Sequence, residues 1–82
     1  NIFDVTVGRI YTMKFLIPER NRECVLSWLD DNLGNKWPRP YQWFPFYRTE
    51  QNEPAFMVVI ASTEDCTAFT LRYNEYICYR AA

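Results

Sequence analysis

The chain has 82 residues, the size of one domain. Nine basic against ten acidic residues leave a net charge of −1, which excludes a strong positive field for gathering phosphate, and the absence of histidine excludes imidazole acid–base chemistry and most zinc or haem ligation. Apolar residues make up 49% and aromatics 18%, so a few large rings can fill a small core and still leave apolar area for a second subunit or a partner.

Residues Phe3 to Ile17 read as extended, with Val5, Val7, Met13, Phe15 and Ile17 alternating with Asp4, Thr6, Thr12 and Lys14. Gly8 interrupts that pattern. Residues 1–12 are either an N-terminal extension or an extra strand that pairs elsewhere. Pro18 ends the strand, and the spacing predicts a first helix from Pro18–Asn21 to Leu33. Its apolar stripe is Val25, Leu29 and Leu33, widened by Cys24, Leu26 and Trp28. Gly34 stands where a left-handed helix stop is expected.

The segment Trp37 to Tyr47 holds six aromatic residues and three prolines. Proline cannot donate a ladder hydrogen bond, so this piece is expected to be an edge strand or an extended loop. Simple alternation puts Tyr41, Trp43, Pro45 and Tyr47 on one side, and Gln42, Phe44, Phe46 and Arg48 on the other. Thr49 to Pro54 reads as a hairpin connection. Pro54 to Ala61 is an unbroken apolar run, the pattern of a strand covered on both faces. Ser62-Thr63-Glu64-Asp65 is a capping signal for a second helix. Its expected core stripe is Cys66, Phe69 and Tyr73, flanked by Ala68 and Leu71, and Asn74 is placed to close it. Tyr76 to Tyr79 reads as a short last strand. The order βαββαβ predicts an α+β domain over residues 1–82 of the ferredoxin-like type, with two helices on one face of a four-stranded antiparallel sheet.

Glycine-rich phosphate loops and EF-hand spacing are both missing, with only Gly8 and Gly34 available. Asp30-Asp31 and Glu64-Asp65 are sequence neighbours on helices and diverge by about 100°, so neither pair converges on one metal or substrate atom. Cys24, Cys66 and Cys78 are odd in number and lack C-x-x-C spacing, which predicts reduced, mostly buried thiols in a cytoplasmic protein. Phe15-Leu16-Ile17 is too short for a membrane span or a signal-peptide core. The expectation is therefore a protein without catalytic residues, cofactor or metal.

The aromatic segment has three readings. Its rings pack the core; or they form a protein contact that includes self-association; or they stack single-stranded nucleic acid, helped by Arg48 and Lys14. Against the last, residues 55–60 lack the basic-plus-aromatic consensus of RNA-recognition modules. The expected partner-binding residues are Trp37, Arg39, Tyr41, Trp43, Tyr47 and Arg48, with a protein partner or a homo-oligomer favoured over nucleic acid. Seven of the nine cations are arginine, which suits interfaces and ring stacking as well as an ordinary solvated surface.

Ala61 to Tyr73, an apolar strand end followed by an acidic helix start and Phe69-Thr70-Leu71-Arg72-Tyr73, resembles the ending of many short tailed-phage proteins. Trp28-Leu29 and Asn32-Leu33-Gly34 are similar to segments in their earlier halves. The resemblance implies a virus-encoded accessory protein acting in the host cytoplasm by binding a host or viral protein. It implies no catalytic residues.

Overall fold

The computed structural model describes residues 13–81. The expectations for Phe3–Thr12 and Gly8 lie outside them. Strand β1 (Met13–Pro18) leads through a 3-10 turn (Glu19–Asn21) into helix α1 (Arg22–Leu33). Strands β2 (Tyr41–Arg48) and β3 (Pro54–Ile60) form a hairpin. Helix α2 (Thr63–Tyr73), a second 3-10 turn (Asn74–Tyr76) and strand β4 (Tyr79–Ala81) follow. The four strands form one antiparallel sheet in the order β2-β3-β1-β4.

Residues directly opposite in register share a face, so the ladder sorts the side chains. Phe15 opposes Val58, Ile17 opposes Phe56 and Met13 opposes Ile60, while Tyr41 and Trp43 continue those rows onto β2. This face packs against Val25, Leu29 and Leu33 of α1 and Cys66, Phe69 and Tyr73 of α2 in one continuous core, so both helices cover the same side of the sheet. Phe69 sits at the centre, its ring 4.9 Å from Phe15, 6.0 Å from Trp28 and 5.5 Å from Tyr73. Each such ring, fully buried, contributes about 1.5–3 kcal/mol.

Local chemistry explains the boundaries. Ser62 Oγ accepts the Asp65 N–H at 3.2 Å and caps α2. The β2–β3 hairpin closes through Thr49, whose N–H donates to the Glu53 carbonyl at 2.9 Å and whose hydroxyl accepts the Glu53 N–H at 3.2 Å. Asn52 holds the left-handed position there, φ 65°, which its short polar side chain tolerates.

Four expectations need correction. Gly34 is right-handed, φ −66° and ψ −23°, so it does not stop α1 by a left-handed turn. Its N–H reaches back to the Asp30 carbonyl at 3.0 Å, and a Cβ there would overlap that carbonyl oxygen, so close approach is what requires glycine. Ala68 and Leu71 are exposed, because α2 turns only its Cys66–Phe69–Tyr73 stripe inward. The last strand begins at Tyr79, since Asn74–Tyr76 extends the helix by a 3-10 turn before the Cys78 N–H joins the Leu16 carbonyl at 2.8 Å. Of the three free cysteines Cys66 alone is buried, whereas Cys24 and Cys78 are exposed. Burial, reinforced by the Asp65 charge, pushes the Cys66 thiol pKa up.

Candidate functional site

The β2 edge is built by one irregularity. Phe44 opposes Met57 and Tyr47 opposes Ala55, so Pro45 and Phe46 together face the single residue Phe56 across a β-bulge. Phe46 has φ 72°, a conformation that residues other than glycine, asparagine and aspartate rarely hold. An extra residue in one strand reverses the side-chain alternation beyond it. Tyr47 therefore shares the helix-free face with Phe44, and Arg48 shares the helix-covered face with Pro54. The simple alternation expected for residues 41–48 holds up to Phe44 and is inverted after it.

Register divides the rings, and Phe44 is already exposed on the helix-free face before the bulge. Tyr41 is buried, 3% exposed, and belongs to the core; in this structure it presents no surface to a partner. Trp43 is half-buried against the core, edge-on to Phe56 at 6.1 Å, with the Arg22 guanidinium 5.6 Å from its ring centre. Beyond the bulge Phe46 is 96% exposed and Tyr47 40%. Trp37, in the connection before β2, is 90% exposed. Arg39 Nη2 donates to the Tyr41 hydroxyl at 2.8 Å with its guanidinium 4.7 Å from that ring, and this hydrogen bond raises the Arg39 pKa above its ordinary value. The expected binding residues thus separate: Trp37 and Tyr47 lie on the surface, Tyr41 and Trp43 serve packing, and Arg39 lies along Tyr41. Sequence reasoning passed over Phe46. Pro45 hints at an irregularity, but a positive φ is expected at glycine or asparagine, and a phenylalanine after the proline gives no such sign.

Two side-chain ties hold this edge in place. Lys36 Nζ donates to Asp65 Oδ1 at 2.8 Å, anchoring the connection that carries Trp37 to the first turn of α2. This bond raises the Lys36 pKa. Asp65 is buried and accepts the ammonium there, a role that the capping signal Ser62-Thr63-Glu64-Asp65 did not suggest. At the other end Arg48 Nη1 donates to the Asn52 carbonyl at 2.8 Å, tying the strand to its own hairpin turn.

The backbone of this edge is partly blunted. The Ala61 N–H donates to the Pro40 carbonyl at 2.9 Å, so by antiparallel alternation Gln42 and Phe44 bond to β3 while Tyr41, Trp43 and Pro45 turn their backbone outward. Proline has no N–H to offer at its outward position. Around the bulge lies a groove of about 410 Å³ lined by Glu19, Arg22, Pro45, Phe46, Tyr47, Arg48, Pro54 and Ala55.

No protein-family profile, curated protein or solved structure matches this chain. Among the described residues no group of three or more histidine, cysteine, aspartate or glutamate side chains is placed to hold a metal ion. No described helix is long and apolar enough to cross a membrane.

Proposed function

We propose that this chain is a small non-enzymatic protein-binding module of the ferredoxin-like type, and that its partner reads the β2 edge and the connection before it. The strand order β2-β3-β1-β4 and the βαββαβ order support that fold assignment. The observation that carries the function is Phe46. A phenylalanine that is 96% exposed and held at φ 72° is unfavourable twice over, by backbone strain and by apolar exposure, and contact with a partner offsets both. Trp37, 90% exposed, presents a second ring before the strand, with Tyr47 beside Phe46. The likeness of Ala61–Tyr73 to tailed-phage proteins supports a virus-encoded accessory protein acting in the host cytoplasm.

Nucleic-acid stacking is the weaker reading. Across the helix-free face the row Tyr79, Leu16, Met57, Phe44 places rings only on the outer strands, and Lys14 is the only charged side chain that the described ladder positions put on that face. A photoreactive side chain at position 37 or 46 separates the readings when the chain is expressed in its own cellular setting. The expected product is a discrete protein adduct from both positions and none from position 31 or 67 on the outer faces of the helices. Nuclease-sensitive adducts would replace protein contact with nucleic acid, and equal weak labelling at all four positions would eliminate both.

A further inference from the structure

We infer that the partner at the bulge is a second copy of this chain, related by a two-fold axis, with Phe46 of each copy seated in the groove of the other. The inference rests on the proposed role of the β2 edge in protein contact and names who occupies it.

Three observations carry it. First, the groove suits an aromatic ring. Pro45 and Pro54 supply flat apolar walls, and Arg22 and Arg48 supply guanidinium groups that pack on ring faces. Both guanidinium groups are already held in place: Arg22 Nε lies 2.8 Å from Glu19 Oε2, and Arg48 is tied to the Asn52 carbonyl at 2.8 Å. An apolar cavity of about 150 Å³ accepts benzene, so a groove of about 410 Å³ has room for a phenyl ring together with the backbone that bears it.

Second, the chain offers such a ring at the rim of that same groove. A projecting side chain and a recess side by side on one surface are self-complementary, because a two-fold axis puts each projection into the opposite recess and closes the assembly at two copies. The charges allow it. Tyr41 to Tyr47 carries no charge, so the inserted segment brings no like charge into the groove. Glu19 and Arg48 lie in one patch, so the axis can set Glu19 of one copy against Arg48 of the other.

Third, protection of a sheet edge does not account for Phe46. Pro45 and the bulge are devices that blunt an edge, and a protective edge places charge or a small residue at its outermost point. Here that point carries a 96% exposed phenyl group at φ 72°. The missing outward N–H at Pro45 also disfavours strand-to-strand addition there, so the contact is made by side chains.

Sedimentation equilibrium of the full chain over a concentration series tests this. The expected result is a reversible monomer–dimer equilibrium that stops at twice 9.9 kDa. Phe46→Gly removes the ring while suiting the backbone, so the variant keeps the fold; its dissociation constant should rise by about 30-fold or more, the loss typical of an interface anchor. Phe46→Trp should retain the dimer. A chain that stays monomeric to millimolar concentration overturns the inference, as does a dimer that Phe46→Gly leaves intact. If the chain is monomeric while the photoreactive side chain at position 46 captures a different protein, the second copy is wrong and the protein-binding reading stands.

Discussion

The two halves of β2 are both rich in rings and differ in fate. Tyr41 to Phe44 follows the ladder of β3, and its Tyr41 and Trp43 rings fall on the helix-covered face. Pro45 to Arg48 begins with one residue too many, and its rings turn to solvent. Ring content and hydropathy barely separate the halves. A single inserted position does, because strand side chains alternate with period two and one extra residue exchanges the faces. A ring's burial here is set by register rather than by its chemistry.

The largest test of that contrast compares one ring from each half. Trp43→Ala should lower unfolding stability by about 2–3 kcal/mol, somewhat below the loss for a fully buried tryptophan, because the contacts with Phe56 and Arg22 disappear. Phe46→Ala should change the stability of the monomer by less than about 0.5 kcal/mol. Urea unfolding in dilute protein measures both, and equal losses would show that the bulge does not divide the strand. Trp43→Ala is for the same reason a poor probe of partner binding, since it weakens the core.

A smaller effect of opposite sign is expected from Phe46→Gly. Relief of the left-handed strain at φ 72° is worth about 1–2 kcal/mol. The greater freedom of glycine in the unfolded chain takes back about 0.5–1 kcal/mol. The net gain lies between about 0 and 1.5 kcal/mol, read from the urea midpoint at concentrations where only monomer is present. A loss of stability would mean that the ring rests on something in its own subunit.

The smallest effect concerns the tie that holds Trp37. The hydrogen bond to Asp65 raises the Lys36 pKa above the ordinary value of 10.5. A raised folded value means that the contribution is complete below that ordinary value and is lost as pH climbs through the folded one. Carbon-detected NMR titration of the Lys36 Cε should give a midpoint above that of Lys36 in an Asp65→Asn variant. Coincident midpoints would show that the tie does not form in solution.

Much of the scaffold was legible because it rests on local rules. The Val25–Leu29–Leu33 and Cys66–Phe69–Tyr73 stripes, the Ser62 cap, the Thr49–Pro54 turn and the apolar β3 all follow from periodicity and turn chemistry, and each stands where the pattern places it. The surface site was legible only in part. Trp37 and Tyr47 are exposed as binding requires, but Tyr41 is buried, and Phe46 was hidden because alternation alone gives no sign of where a strand gains a residue.

The sequence by itself determined the two helices, the apolar strand β3, and that the proline-bearing segment before it cannot be a central strand. Hydrophobic spacing and the missing N–H of proline are properties of a few neighbouring residues, so the linear order contains them. Only the tertiary structure decided which rings are left outside, that Lys36 reaches Asp65 across 29 positions, and that Arg48 shares a groove with Glu19 and Arg22. Those outcomes depend on the register between β2 and β3 and on the packing of α1 and α2 against the sheet, where residues remote in the chain meet.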